Sequence, residues 1–217
     1  MSRNKAIFLD RDGTINVDRA YVYKISDFEF IPGAVEVLKL LQDNGFQLII
    51  ITNQSGIARG YYTENDYKIL NDWMINELRT VYGVNITASY FCPHHPNAVV
   101  PEYRLECNCR KPKLGLFERA IKEFDIRLEE SFAIGDKLRD LEICERHAGI
   151  ETSSLTEVAH SIDKEQNGCR GFLVGNKESE EVIRSVKAGE MENIRYCESL
   201  YEAAKRICCG YPYPSQP

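Results

Sequence analysis

The chain has 217 residues, 43% of them hydrophobic and 28% charged, which suits one globular domain with a full core, or one domain carrying an insertion. Its formal charge of −6 argues against nucleic acid or an anionic membrane as the main partner, so an anionic substrate would need cations placed locally. No apolar run reaches the roughly 18 residues of a membrane span, and the first residues lack the apolar stretch of a secretory leader, which makes the cytoplasm the expected compartment.

Strand-like and helix-like segments alternate along the chain. Ala6–Leu9 is a short apolar run ending in polar residues, as a buried parallel strand does. After Pro32 and Gly33, the residues Val35, Leu38 and Leu41 recur at helical spacing, with Gly45 as the stop. Phe46–Ile51 reads as a second strand. Thr63 to about Tyr82 reads as a long helix with Thr63 as N-cap and Leu70, Met74, Leu78 and Val81 on one face. Ala88–Phe91 is a third strand, followed by a loop rich in Pro, Cys and His that runs to about Pro112. A helix over Leu114–Phe124, a strand over Phe132–Ile134 and a helix from Asp140 follow. Beyond Gly149 the sequence is ambiguous until a strand at Gly171–Val174 and a last helix at about Ser199–Ile207. Residues 1–210 are expected to form a single domain, with 211–217 as a disordered tail. Alternation of this kind predicts an α/β fold, a Rossmann-like parallel sheet with helices on both faces. Ligands bind such sheets beyond the carboxyl ends of the strands.

Three separate strand ends carry polar residues: Asp10 and Asp12, Thr52 and Asn53, and Asp136. Two carboxylates at i and i+2 can divide labour, one attacking phosphorus while the other exchanges a proton with the leaving oxygen. A hydroxyl and backbone N–H groups around Thr52–Gly56 can hold phosphate oxygens. Arg110 and Lys111 supply cations before a helix, and Lys111 can neutralise charge on a transferring phosphoryl group. Asp136 at its strand end suits an oxygen-seeking Mg²⁺. Asp140 is either a supporting residue of that metal site or a helix N-cap. An anionic nucleophile attacking an anionic phosphate needs both the metal and the lysine.

Cys92 and His94, then Cys107 and Cys109, form two pairs at i and i+2 in a loop with little core of its own. Three thiolates and an imidazole match a closed, structural Zn²⁺ site, and His95 competes with His94 for the fourth position. A zinc ribbon that binds nucleic acid is the rival reading, opposed by the acidic net charge, and a noncatalytic zinc-ribbon adaptor is opposed by the presence of Asp10, Asp12, Lys111 and Asp136 together. Cys144, Cys169, Cys197, Cys208 and Cys209 are expected to be plain reduced thiols.

The set Asp10, Asp12, Gly13, Thr14; Thr52, Asn53; Lys111; Gly135, Asp136 and Asp140 resembles the four motifs of haloacid dehalogenase superfamily phosphatases over about residues 5–148. The resemblance implies Asp10 as nucleophile, Asp12 as general acid/base, and Thr52 and Lys111 as holders of the phosphoryl group. It also implies Mg²⁺ on Asp10, Asp136 and the backbone carbonyl of Asp12. The runs from Asp10 to Asn16, Thr52 to Gly60, Cys92 to Pro96 and Cys107 to Pro112 are similar to those of heptose-bisphosphate phosphatases. Histidinol-phosphate phosphatases share most of them and are the alternative. In that branch Asp18, Arg19, Ala20, Tyr21, Thr52, Asn53, Gln54, Ser55, Arg110, Lys111 and Lys137 would line the pocket for a small phosphorylated sugar, with Arg110 foremost in recognition. The link from the first motif to Pro32 is too short for a helical cap domain, so the zinc loop at 92–109 would shape the entrance. A monomer is expected.

Overall fold

A computed structural model describes residues 4–146 and 168–209. The ambiguous stretch after Gly149, as far as residue 167, and the tail at 211–217 fall outside them. The elements run β1 (Ala6–Leu9), α1 (Ala34–Asp43), β2 (Gln47–Asn53), α2 (Ser55–Ala58), α3 (Glu64–Thr80), β3 (Ile86–Cys92), α4 (Gly115–Phe124), β4 (Phe132–Gly135), α5 (Glu142–Arg146), β5 (Arg170–Val174), α6 (Glu180–Ala188), β6 (Ile194–Cys197) and α7 (Leu200–Cys208). The six strands pair in the order β3-β2-β1-β4-β5-β6, every pairing parallel.

Side-chain alternation explains why both faces are covered. Ile7 and Leu9 of β1, with Leu48 and Ile50 of β2, enter one core with Val37, Leu38 and Leu41 of α1 and Ala203 and Ala204 of α7. Ala6 and Phe8, with Ile49 and Ile51, enter the other core with Phe117 and Ala120 of α4 and Val186 of α6. A central strand whose two faces are both buried has to be apolar throughout, as β1 is. The doubly covered parallel sheet expected from the sequence is therefore present. Between β1 and α1 the chain forms one short 3-10 turn, Ile25–Asp27. Among the described residues no helix is long and apolar enough to cross a membrane.

Several boundaries differ from expectation. The long helix begins as predicted, with Thr63 as N-cap: its side chain accepts from the Asp66 N–H, and the Asp66 side chain accepts from the Thr63 N–H in return. The helix ends at Thr80, so Val81 is the C-cap and is 59% exposed rather than on the buried face. No α-helix starts at Asp140. A 3-10 turn over Leu138–Asp140 precedes α5. Helix α6 and strand β6 are additions at the sheet edge, where only Val186 of the helix and the two end residues of the strand are fully buried. Half-buried edge elements carry too few apolar residues for a periodicity reading to find them.

Candidate active site

The carboxyl ends of β1, β2 and β4 bring the singled-out residues together. Lys111 lies at their centre, 2% exposed, reaching Asp10 Oδ1 at 2.8 Å, Asp140 Oδ1 at 2.7 Å and the Ile51 carbonyl at 2.6 Å. The Asn53 side-chain amide fixes its backbone, accepting from the Lys111 N–H and donating to the Lys111 carbonyl, each at 3.0 Å. Asn53 therefore spends its amide on placing Lys111. Asp10, Asp136 and Asp140 are all buried, and their carboxylate oxygens lie within 4.8 Å of one another. Asp140 also accepts from the Lys137 N–H at 3.1 Å, which closes the turn behind the cluster.

The approach of Asp136 to the first loop requires Gly13. Gly13 has φ +86°, and a Cβ there would stand 2.1 Å from Asp136 Oδ2. The Asp-Gly turn is thus a fitted part of the site as well as a bend.

Lys111 pairs with Asp10 and Asp140, Asp136 lies beside them, and Arg139 reaches Asp140 only at 3.9 Å, so the buried carboxyls outnumber the cations that touch them. The electrostatics record that deficit. Burial, then Asp10 and Asp140, push the Asp136 carboxyl up to about 7. Burial and Asp140 push Asp10 up to about 6 against the pull of Lys111. An all-oxygen donor set with excess negative charge fits a hard divalent cation.

Asp12 is treated differently. Burial pushes it up, but the Arg11 guanidinium and hydrogen bonds from Arg11, Asn16 and Gln54 outweigh this and hold it below its ordinary value. Arg11 is fully buried, donates to both Asp12 oxygens at 2.8 and 2.9 Å from one nitrogen, and gives another hydrogen bond to the Val22 carbonyl at 3.0 Å. That last bond ties the 18–21 loop to the strand end. In this loop Ala20 and Tyr21 take left-handed backbone angles, φ 60° and 63°, and Asp18 accepts from the Ala20 N–H. Arg19 pairs with Glu29, and the Tyr21 ring meets Tyr61 edge-on. Thr52 is buried beside Gln54, and Ser55 begins α2.

The second cluster is Cys92, His94, Cys107 and Cys109. Cys109 Sγ lies 3.1 Å from Cys92 Sγ, 3.2 Å from Cys107 Sγ and 3.2 Å from His94 Nδ1. These contacts approach the edges of about 3.5–4 Å that follow from zinc–sulfur bonds of about 2.3 Å in a tetrahedron. His95 Nδ1 faces away and accepts from the Asn97 N–H. All eight cysteines are free of disulfides. Arg110 follows the cluster directly, is half-buried, and donates to the His94 carbonyl at 3.1 Å. Lys137 stands 4.0 Å from Glu178, whose other oxygen accepts from the Leu138 N–H at 2.9 Å. Arg11, Asn16 and Glu178 escaped the sequence reading. Only the position of Arg11 between the two aspartates hinted at its role.

Comparisons with known proteins agree with this geometry. The family model of polynucleotide kinase 3 phosphatase matches residues 5–153. The D-glycero-β-D-manno-heptose-1,7-bisphosphate 7-phosphatase of Haemophilus ducreyi is 44% identical over 84% of this chain and 94% of its own. The D-glycero-α-D-manno-heptose-1,7-bisphosphate 7-phosphatase of Photorhabdus laumondii is 46% identical over 72% of this chain and 84% of its own. The crystal structure of D,D-heptose 1,7-bisphosphate phosphatase from B. bronchiseptica, complexed with magnesium and phosphate, matches with a TM-score of 0.73. It is 28% identical and covers 95% of this chain and 99% of its own. With a Lys-centred carboxylate cluster at the sheet's carboxyl edge and relatives that match along nearly their whole length, this chain belongs to the heptose-bisphosphate phosphatases of the haloacid dehalogenase superfamily.

Proposed function

We propose that the chain removes the 7-phosphate of D-glycero-D-manno-heptose 1,7-bisphosphate, with Asp10 as the nucleophile and Mg²⁺ as the required ion. The observation that carries this reading is the ion-paired Asp10–Lys111–Asp140 centre with Asp136 beside it. Asp10 attacks phosphorus, and Lys111, already 2.8 Å from Asp10, offsets charge on the phosphoryl group as it transfers. Thr52 donates a hydrogen bond from its hydroxyl to a phosphoryl oxygen. Asp12, ionised in the free protein, takes up the proton that a monoanionic phosphate ester brings, passes it to the leaving alkoxide, and later takes one from the water that attacks the phosphorylated Asp10. Asp10, Asp136 and the Asp12 carbonyl would hold Mg²⁺, which when bound screens the repulsion between nucleophile and phosphate. The 18–21 loop, Arg110 and Lys137 would receive the sugar and its second phosphate.

Two relatives carry opposite anomers in their names, so the anomer is best read from turnover. A polynucleotide 3′-phosphate, suggested by the family description, is opposed by the net charge of −6. The deciding experiment measures phosphate release, with Mg²⁺, from heptose 1,7-bisphosphate and histidinol phosphate side by side. Strong preference for the bisphosphate is expected, and preference for histidinol phosphate would make the chain a histidinol-phosphate phosphatase instead.

Magnesium affinity should fall on acidification. A carboxyl must lose its proton to bind the ion, and Asp136 and Asp10 titrate near 7 and 6 in the metal-free protein. Below those values the affinity should drop by up to about tenfold per pH unit for each proton displaced. A calorimetric Mg²⁺ titration across that range checks this, and a flat affinity would speak against Asp136 and Asp10 as ligands.

Zinc on Cys92, His94, Cys107 and Cys109 would brace the loop that presents Arg110 and Lys111. The purified protein should hold one equivalent of zinc by elemental analysis. Stripping it with a strong chelator should lower the thermal midpoint and the activity together. A fully folded, active, zinc-free protein would remove the structural role.

A further inference from the structure

Among the residues around the site, Tyr62 has no part in the chemistry above and yet is built into it. Its hydroxyl lies 2.6 Å from Gln54 Oε1, and Gln54 Nε2 lies 2.9 Å from both Asp12 Oδ2 and Thr52 Oγ1. Tyr62 and Gln54 are 6% and 2% exposed. The orientation of the amide follows from its neighbours. The reverse orientation would set Oε1 against the Asp12 carboxylate, two acceptors with no proton between them. The NH₂ group therefore faces Asp12 and Thr52, Oε1 faces Tyr62, and the tyrosine hydroxyl is the donor.

Two consequences follow. Thr52 Oγ1 accepts from Gln54, which leaves its own proton free for a phosphoryl oxygen. Asp12 receives from Gln54 a hydrogen bond that reaches it from another strand end, since Arg11 and Asn16 belong to its own loop. Gln54 is itself anchored, its backbone N–H donating to the Cys92 carbonyl at 2.8 Å. The tyrosine's seat is prepared too. A Cβ at Gly56 would come within 2.1 Å of Tyr62 Cε1, so only glycine admits the ring, and the ring stacks on Tyr23 at 5.1 Å with planes 13° apart.

We propose that Tyr62 is a positioning residue, holding the Gln54 amide in the one orientation that fixes Asp12 for proton transfer to the leaving group. The proposal rests on the phosphatase reading above and adds a residue to it.

The test uses Tyr62→Phe in the full chain with Mg²⁺, which keeps the ring and its stacking. Phosphate release is followed from heptose 1,7-bisphosphate, an alkyl ester that needs a proton on its leaving group, and from p-nitrophenyl phosphate, which needs little help. The value of kcat/KM covers the steps through phosphoryl transfer. It should fall about tenfold for the bisphosphate, the worth of one buried hydrogen bond, and at most about twofold for the aryl ester. Gln54→Leu should give the same pattern, and the double variant should be no worse than Gln54→Leu alone, because both act along one path. Unchanged kcat/KM in folded Tyr62→Phe, equal losses on both esters, or additive losses in the double variant would each overturn the proposal. Wild-type protein inert on both esters would overturn the phosphatase reading, and the relay with it.

Discussion

Asp10→Asn should abolish turnover while making the metal-free protein more stable. Loss of the attacking oxygen should lower kcat by at least on the order of 10⁴, the scale seen when a covalent nucleophile is removed. The stability change follows from linkage. Asp10 has a folded-state pKa raised from 3.8 to about 6, so between those values the folded protein holds a proton the unfolded chain has released. This carboxyl therefore costs the fold stability as pH rises through that window, and the cost is fully present above it. A neutral amide removes it, for a gain on the order of 1–3 kcal/mol without metal at neutral pH. Thermal melts with and without Mg²⁺ check the pair of effects. Wild-type turnover in Asp10→Asn would end the case for this nucleophile, and a large fall in the metal-free midpoint would contradict the charge-excess account of the cluster.

Lys111→Met should be the most damaging single change to the fold. The ammonium touches Asp10, Asp140 and the Ile51 carbonyl inside the protein. Its removal leaves buried carboxylates facing one another, a loss of about 3–5 kcal/mol, along with nearly all activity. Two further responses separate a charge effect from simple loss of packing. The deficit should shrink as pH falls and the carboxyls take up protons, and it should shrink when Mg²⁺ is added. A deficit that ignores both pH and Mg²⁺ would identify packing as the cause.

The clustering of the singled-out side chains was legible because a parallel sheet gathers its strand ends where it places ligands. A short apolar run ending in Asp10 and Asp12, another ending in Thr52, and a third ending in Asp136 had to converge once the sheet was inferred. Ligand-like spacing similarly singled out Cys92, Cys107 and Cys109, which the fold gathers into one cluster, while the choice between His94 and His95 depended on loop geometry that spacing does not carry. The supporting residues were harder to see. Gln54 resembles a pocket residue in sequence, yet its amide is occupied by Asp12, Thr52 and Tyr62. Asn53 is occupied in the same way by Lys111. Such roles depend on which buried polar atoms meet, and that is a property of three-dimensional packing. Glu178 reaches the 137–140 turn from beyond β5, a long way off in sequence, so nothing local to the motif could reveal it.

The central claim is a covalent phosphoryl group on Asp10, and the stereochemical course at phosphorus tests it most directly. A substrate whose transferred group is a phosphorothioate made chiral by one ¹⁸O is hydrolysed in ¹⁷O-labelled water with Mg²⁺, and the configuration of the released thiophosphate, whose sulfur and three different oxygen isotopes make it chiral, is read. Two successive in-line displacements, first by Asp10 and then by water, predict net retention of configuration. Net inversion would mean a single attack by water and would contradict the account.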